Sequence, residues 1–235
     1  NSDDLPSNLQ NGLVGYWPFC GNANDESGNG NNGFVNGATL STDRFGNQDS
    51  AYSFDGDNSY INNPTQLLEI GSDYSVSFWF SSTGVNQGNQ GPYLSQILFN
   101  TIGHTGIGIA FNHVYNPGVI SLFIGDGLSF WDVNGSAGIK SDFNNNQWYN
   151  ITLVKNGINY KMYVDGILDI DINVNSSINY TSSVGFTIGT GSEGVNEPLF
   201  GSNDDMAIWN RALSSSEIQQ LANSSTYAWS TGDTS

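Results

Sequence analysis

The sequence predicts an all-β protein: a two-sheet antiparallel jelly-roll sandwich with one short C-terminal helix. Three observations carry that prediction. Short runs rich in aromatic and β-branched residues recur along the chain, separated by Gly, Asn, Asp and Ser. Two of the separating dipeptides, Asn156-Gly157 and Asp165-Gly166, supply the positive φ angles that two-residue hairpin turns need. Only one segment carries a helix signal.

In chain order the candidate strands are 13–19, 50–54, 60–61, 74–81, 96–100, 107–111, 119–124, 129–133, 148–155, 159–164, 167–174, 184–188 and 205–209. The stretch from Trp148 to Ile172 predicts a three-stranded meander about the two turns. Within it Tyr160, Met162 and Val164 share one face and Lys161 and Tyr163 the other, because side chains alternate along a strand. The helix starts at Ser214-Ser-Ser-Glu217, a capping box in which serine and glutamate satisfy each other's backbone amides. Ile218 and Leu221 then give a short apolar stripe. Residues 1–11 are polar and without periodicity and read as a leader, 12–222 as the domain, and 223–235 as a Ser/Thr-rich linker. The organisation suggests a module of a longer protein.

Composition excludes several function classes. The 235 residues hold 22 acidic and 5 basic side chains, a net charge of −17, so a basic footprint for nucleic acid is absent and an anionic membrane surface is disfavoured. Charged residues are only 11%; polar uncharged ones fill the gap, with 32 Asn beside 29 Gly. Hydrophobics at 37%, of which many are aromatic, suffice for a packed core. The single Cys20 allows neither an intrachain disulfide nor a thiolate zinc cluster. Apolar runs are far too short to span a membrane as helices. Low Lys and abundant Asn, Ser, Thr and Gly suit an extracellular setting.

Two segments offer oxygen ligands for a hard cation. In Asn24-Asp-Glu-Ser-Gly-Asn-Gly-Asn-Asn-Gly33 acidic and amide groups sit among glycines, as an irregular calcium cage requires, although the spacing is not that of an EF-hand. Asn203-Asp-Asp205, read as a turn before the last strand, places two carboxylates side by side with no basic neighbour in sequence, a repulsion that a cation would relieve. For both segments the plain alternative is a solvated turn.

Several motifs together resemble the laminin-G-like, concanavalin A-like jelly-roll modules (lectin/glucanase superfamily) of secreted bacterial proteins. They are Leu13-Val-Gly-Tyr-Trp-Pro-Phe19, the 21–33 loop, Thr42-Asp-Arg-Phe-Gly46, Ala51-Tyr-Ser-Phe-Asp-Gly56, Tyr163-Val-Asp-Gly166 and Asp204-Asp-Met-Ala-Ile-Trp-Asn-Arg-Ala-Leu-Ser-Ser-Ser-Glu-Ile218. The resemblance covers about residues 12 to 222. It implies two sheets of six to seven strands and one structural Ca²⁺ tying the first loop to the last strand. Asp25 would then supply a carboxylate, Gly30 and Asn32 backbone or amide oxygens, and Asp204 or Asp205 the closing carboxylate. At Cys20 the chain departs from the pattern, which usually carries Asp or Asn there, and Cys20 is expected as a small buried hydrophobe.

The fold alone does not separate enzyme from binding module. Paired catalytic carboxylates for glycoside hydrolysis are not apparent among the five Glu, and Asp169 and Asp171, which alternate on one strand face, read as edge protection. No nucleophile elbow or phosphate-binding loop occurs. The expected function is therefore non-catalytic binding of a polysaccharide or glycan, through aromatic rings stacked on sugar faces and amides bonding hydroxyls. The alternatives are a polysaccharide-degrading enzyme and a structural or protein-interaction domain. Candidate contact residues come from the middle stretch: Tyr93, His104, His113, Tyr115, Trp131 and Asp132, with Trp131 as the platform. Trp17, Trp79, Trp148 and Trp209 are assigned to the core. The charge of −17 favours neutral glycans over sulfated or uronic ones.

Overall fold

The computed structural model describes residues 5–68, 72–83, 96–101, 105–113, 116–126, 136–174, 185–190 and 198–223, at 96–101, 105, 113 and 125–126 for the backbone alone. A short helix α1 (Ser7–Gln10) precedes β1 (Leu13–Trp17), β2 (Phe34–Asn36), β3 (Thr39–Ser41), β4 (Ala51–Asp55), β5 (Tyr60–Asn63) and β6 (Tyr74–Ser82). Then come β7 (Gln96–Thr101), β8 (Thr105–His113), β9 (Asn116–Asp126), β10 (Ser136–Ala137), β11 (Trp148–Asn156), β12 (Asn159–Val164) and β13 (Ile167–Asn173). The chain continues through β14 (Phe186–Ile188), β15 (Phe200–Trp209) and α2 (Ser215–Asn223).

The strands form two antiparallel sheets. The first holds eight, in the order β13-β12-β11-β6-β15-β4-β3 with β1 beside β15; the second holds seven, β10-β9-β8-β7-β14-β5-β2. The predicted sandwich is thus observed, with one strand more in the first sheet than the resemblance implied. The 148–172 meander is present with its predicted alternation: Tyr160, Met162 and Val164 are buried, and Lys161 and Tyr163 are partly exposed on the other face.

Phe54, Ile61, Phe78, Phe80, Phe111, Ile151 and Ile208 belong to the main core between the sheets. A second cluster lies on the outer side of the first sheet, where Leu5, Leu9, Leu213, Ile218 and Leu221 cover Tyr16, Val154, Ala207 and Trp209. This covering explains why all nine residues of β6 are buried: both of its faces are packed.

The same cluster takes in part of the polar segment before β1. Leu5 and Leu9 are buried, and the Trp209 indole donates to the Leu9 carbonyl at 2.6 Å. Two leucines among polar residues show no period in so short a segment, so their packing is set by the sheet they land on.

Other local differences have physical causes. The strands β2 and β3 are three residues long and β10 two, too short for alternation to register. Cys20 is exposed, because Phe19 next to it takes the buried position (φ 56°) and turns the chain outward. A bulge between Met162/Tyr163 and Leu168/Ile170 separates Asp169 from Asp171. Asp169 turns to accept the backbone amides of Ile139 and Lys140 at 2.8 and 2.7 Å, whereas Asp171 stays exposed opposite Lys161. Of the tryptophans assigned to the core, Trp17, Trp79 and Trp209 are buried and Trp148 is half-buried.

Candidate functional site

The two oxygen-rich segments do come together, because β1 pairs with β15 through Tyr16↔Ala207 and Trp17↔Met206. What ties them is mostly protein. Asp25 Oδ1 accepts the backbone N–H groups of Tyr16 and Ser27, both at 2.9 Å, and Oδ2 accepts that of Asn31 at 2.9 Å. Asn32 Oδ1 accepts the Asp25 amide at 3.0 Å. The loop is therefore wound around a buried carboxylate and closes onto the start of β2.

Asn203, Asp204 and Asp205 do not form a turn; they lie inside β15, which starts at Phe200. The register shifts between Asp204 and Ala207, and Asp205 adopts φ 46°. Such a bulge brings neighbouring side chains to one side of a strand, and here both carboxylates reach Arg44. Arg44 Nη1 donates to Asp204 Oδ2, and Nη2 donates to Asp205 Oδ2 at 2.6 Å. The guanidinium also stacks against Phe45 and Trp79, its central carbon 4.3 and 4.7 Å from the ring centroids. The Tyr16 hydroxyl donates to Asp205 Oδ1 at 3.2 Å.

These contacts account for the charges. Burial, then the neighbouring Asp205, push the Asp204 carboxyl well above the usual range, against the pull of Arg44. Burial works against the Arg44 charge, but Asp205 and Asp204 outweigh it and raise the guanidinium further.

The positive charge demanded by the adjacent carboxylates is thus supplied by Arg44, 160 residues before Asp204 and invisible as a neighbour in sequence. The Asp25 oxygens are taken by backbone amides. Among the described residues no three His, Cys, Asp or Glu side chains gather as metal ligands. The set Asp25, Gly30, Asn32, Asp204 and Asp205 does not fit a calcium cage shared between loop and strand.

One small cavity lies on the outer side of the first sheet. Tyr16, Ser77, Trp79, Asn150, Asp205 and Leu221 are among the residues around a cavity of about 10 Å³, on the scale of a single water.

Among the sugar-contact candidates Tyr93, His104, Tyr115, Trp131 and Asp132 lie outside the described residues, as does the side chain of His113. The register of the strand ends beside them is informative. Thr105 pairs with Asp126, so the strand ends flanking His104 and flanking Trp131 and Asp132 meet at one end of the second sheet. Gln96 pairs with Phe111 and His113 with Asn116, so the ends flanking Tyr93 and Tyr115 meet at the other. At about 3.4 Å per residue, the nine-residue β8 holds these two ends on the order of 27 Å apart.

The second sheet's outer face holds a feature that sequence reading missed. Phe34 pairs with Asn62 and Asn36 with Tyr60, while Val35 pairs with the core residue Ile61. Phe34, Asn36, Tyr60 and Asn62 therefore all face outward. Asn62 in turn pairs with Thr187 of β14, which is buried, so the exposed row ends at β5. Phe34 is 59% exposed. Asn36 Nδ2 donates to Asn62 Oδ1 at 3.2 Å. Further along the face, Ala110 and Phe123 are buried, so the open part is the β2–β5 end. The available signal was Gly33-Phe-Val-Asn-Gly37, an aromatic between two glycines, masked by the loop before it.

Comparison with known proteins agrees with this architecture. No curated protein matches the chain. Domain 4 of AbnA, a GH43 extracellular arabinanase from Geobacillus stearothermophilus, solved in complex with arabinotriose, superposes with a TM-score of 0.69 at 18% identity, over 89% of this chain and 98% of that one. The binding domain of Paraclostridial Mosquitocidal Protein 1 superposes with a TM-score of 0.71 at 22% identity, over 92% of this chain. The receptor binding domain of botulinum neurotoxin D gives 0.69 at 18% identity, over 93% of this chain. The chain spans 53% and 54% of those two toxin domains, about half their length. At these identities the likeness is one of fold. The sequence model of the Laminin_G_3 family, concanavalin A-like lectin/glucanases superfamily, matches residues 55–219, more than half of the chain. By that match and by its two jelly-roll sheets, the chain belongs to the concanavalin A-like lectin/glucanases superfamily.

Proposed function

We propose that this chain is a non-catalytic carbohydrate-binding module of a larger secreted protein. The observation that carries the reading is the use made of its buried carboxylates. Among the described residues these are Asp25, Asp169 and Asp204. Asp25 accepts three backbone amides, Asp169 accepts two, and Asp204 pairs with Arg44. Acid–base hydrolysis of a glycan needs two carboxyls facing a shared cleft; these three hold loops and strands in place instead.

Support for a sugar ligand comes from the arabinanase domain of the same fold, whose structure holds arabinotriose. A module of this kind would raise the local concentration of a tethered partner on a polysaccharide without chemistry of its own. Affinity electrophoresis in gels containing arabinan, xylan, β-glucan, galactan or mannan tests the proposal, paired with a reducing-sugar assay on the same polymers. Retardation by at least one polymer without release of sugar is the expected result. Release of sugar would make the chain an enzyme, and no retardation by any polymer would make it a structural or protein-binding domain.

A further inference from the structure

We infer that the outward row Phe34, Asn36, Tyr60 and Asn62 on the β2–β5 end of the second sheet is a binding site for a neutral glycan chain; the inference rests on the carbohydrate-binding reading and assigns it a place. Of the two outer sheet faces, that of the first sheet is covered by α1, α2 and their leucines. The second sheet's face is open where β2 and β5 meet, and there it presents two aromatic rings, those of Phe34 and the partly exposed Tyr60, and two amides rather than the charged side chains common on protein surfaces.

The chemistry of the row suits sugar hydroxyls. An exposed ring offers an apolar plate for the C–H face of a sugar, and burying it on a ligand removes apolar area from water. The amides are partly committed to each other, which fixes their orientation. Asn36 Nδ2 gives one hydrogen to Asn62 Oδ1, leaving the Asn36 Oδ1 acceptor and the Asn62 Nδ2 donor without partners among the described residues. Asn36 and Asn62 are diagonal neighbours across the two strands, so the free donor and the free acceptor lie side by side on one face, as hydrogen bonding to neighbouring sugar hydroxyls requires. The row holds no Asp, Glu, Lys, Arg or His, and the chain's −17 repels anionic polymers, so the class of ligand is neutral.

The site is also held rigidly. The 24–33 loop wound on Asp25 delivers the chain into β2, and the Asn63 Nδ2 amide donates to the Asn31 carbonyl at 2.7 Å and to that of Asn32 at 3.2 Å. Gly33 N–H donates to Ala23 O at 2.8 Å, and a Cβ on Gly33 would press on Ile61 and Ala23 at 3.1 and 3.2 Å. Phe34 is thus fixed in place by its backbone, with its ring free. Preorganised contact of this kind lowers the ordering cost of binding.

The test uses the whole chain and its Phe34→Ala, Phe34→Tyr and Asn62→Ala variants. Each is run in gels holding the five neutral polymers or polygalacturonate and carrageenan as anionic ones, with a melting curve for each protein. The expected result is retardation of the parent by a neutral polymer, about tenfold or greater weakening in Phe34→Ala, as for an aromatic hot spot, and retention in Phe34→Tyr. Asn62→Ala should weaken as well, and the melting temperatures should agree. If the parent is retarded and Phe34→Ala equally so, this site is wrong while the carbohydrate-binding reading stands. Retardation by anionic polymers alone overturns the neutral class, and a parent retarded by nothing overturns the functional reading itself.

Discussion

The hydroxyl of Tyr16 donates to the Asp205 carboxylate at 3.2 Å across 189 residues of chain, while the backbone amide of the same tyrosine donates to Asp25 at 2.9 Å. One residue of β1 thereby connects the first loop to the last strand. The other half of that connection is Arg44, which neutralises Asp204 and Asp205 from the segment between β3 and β4.

Replacing Arg44 should be the most damaging change in this region. Arg44→Met leaves two carboxylates uncompensated, one of them 2% exposed, and stranding a buried charge costs about 3–5 kcal/mol. Urea unfolding of the variant checks the figure. Tyr16→Phe removes one hydrogen bond and should cost on the order of 1 kcal/mol.

Asp25→Ala strips the acceptor from three backbone amides, those of Tyr16, Ser27 and Asn31, and unsatisfied buried donors cost about 1–3 kcal/mol. Because these contacts are protein–protein, the melting temperature is expected to be the same in chelator and in millimolar calcium. A rise with calcium that disappears in Asp25→Ala would instead place a cation at the loop.

Arg211 sets a pH window. It grips Glu217 through Nη1 and Nη2 at 3.0 and 2.6 Å, and Ser214 N–H donates to the same carboxylate at 2.8 Å. The Arg211 hydrogen bond, with those from Ser214, lowers the Glu217 carboxyl from 4.5 to about 2. A lowered acid contributes stability in full above its unfolded value and loses it as pH falls toward the folded one. The melting-temperature gap between parent and Glu217→Gln should be steady above pH ~5 and close between pH ~4.5 and ~2.

Asn203 is fully buried in β15, opposite Tyr52 and Phe80, with neither amide atom partnered among the described residues. Exchanging an unsatisfied amide for an apolar group of similar size removes a desolvation cost. Asn203→Leu should stabilise by about 1–2 kcal/mol in urea unfolding.

Deletion of residues 1–11 uncovers the second cluster. Losing buried Leu5 and Leu9 costs roughly 1.5–3 kcal/mol each, so the truncated chain should melt well below the parent in calorimetry. An unchanged melting point would show that Leu5 and Leu9 add no stability.

Much of the sandwich was legible because strand alternation, Asn-Gly and Asp-Gly turns and the Ser214–Glu217 cap are local: each is dictated by residues within a few positions, and the structure keeps them, down to the Ser214–Glu217 exchange. The sequence by itself also determined the net charge, and with it the class of partner disfavoured. Tertiary structure decided the rest. Whether Asp204 meets a cation or Arg44 depends on a bulge in β15 and on the place of a loop 160 residues earlier. Whether Phe34 is core or surface depends on β2 pairing with β5 in the register that sends Val35, not Phe34, toward Ile61. A three-residue strand carries no period of its own, so its facing is fixed only by its partner, and long-range pairing is what a single strand's sequence does not encode.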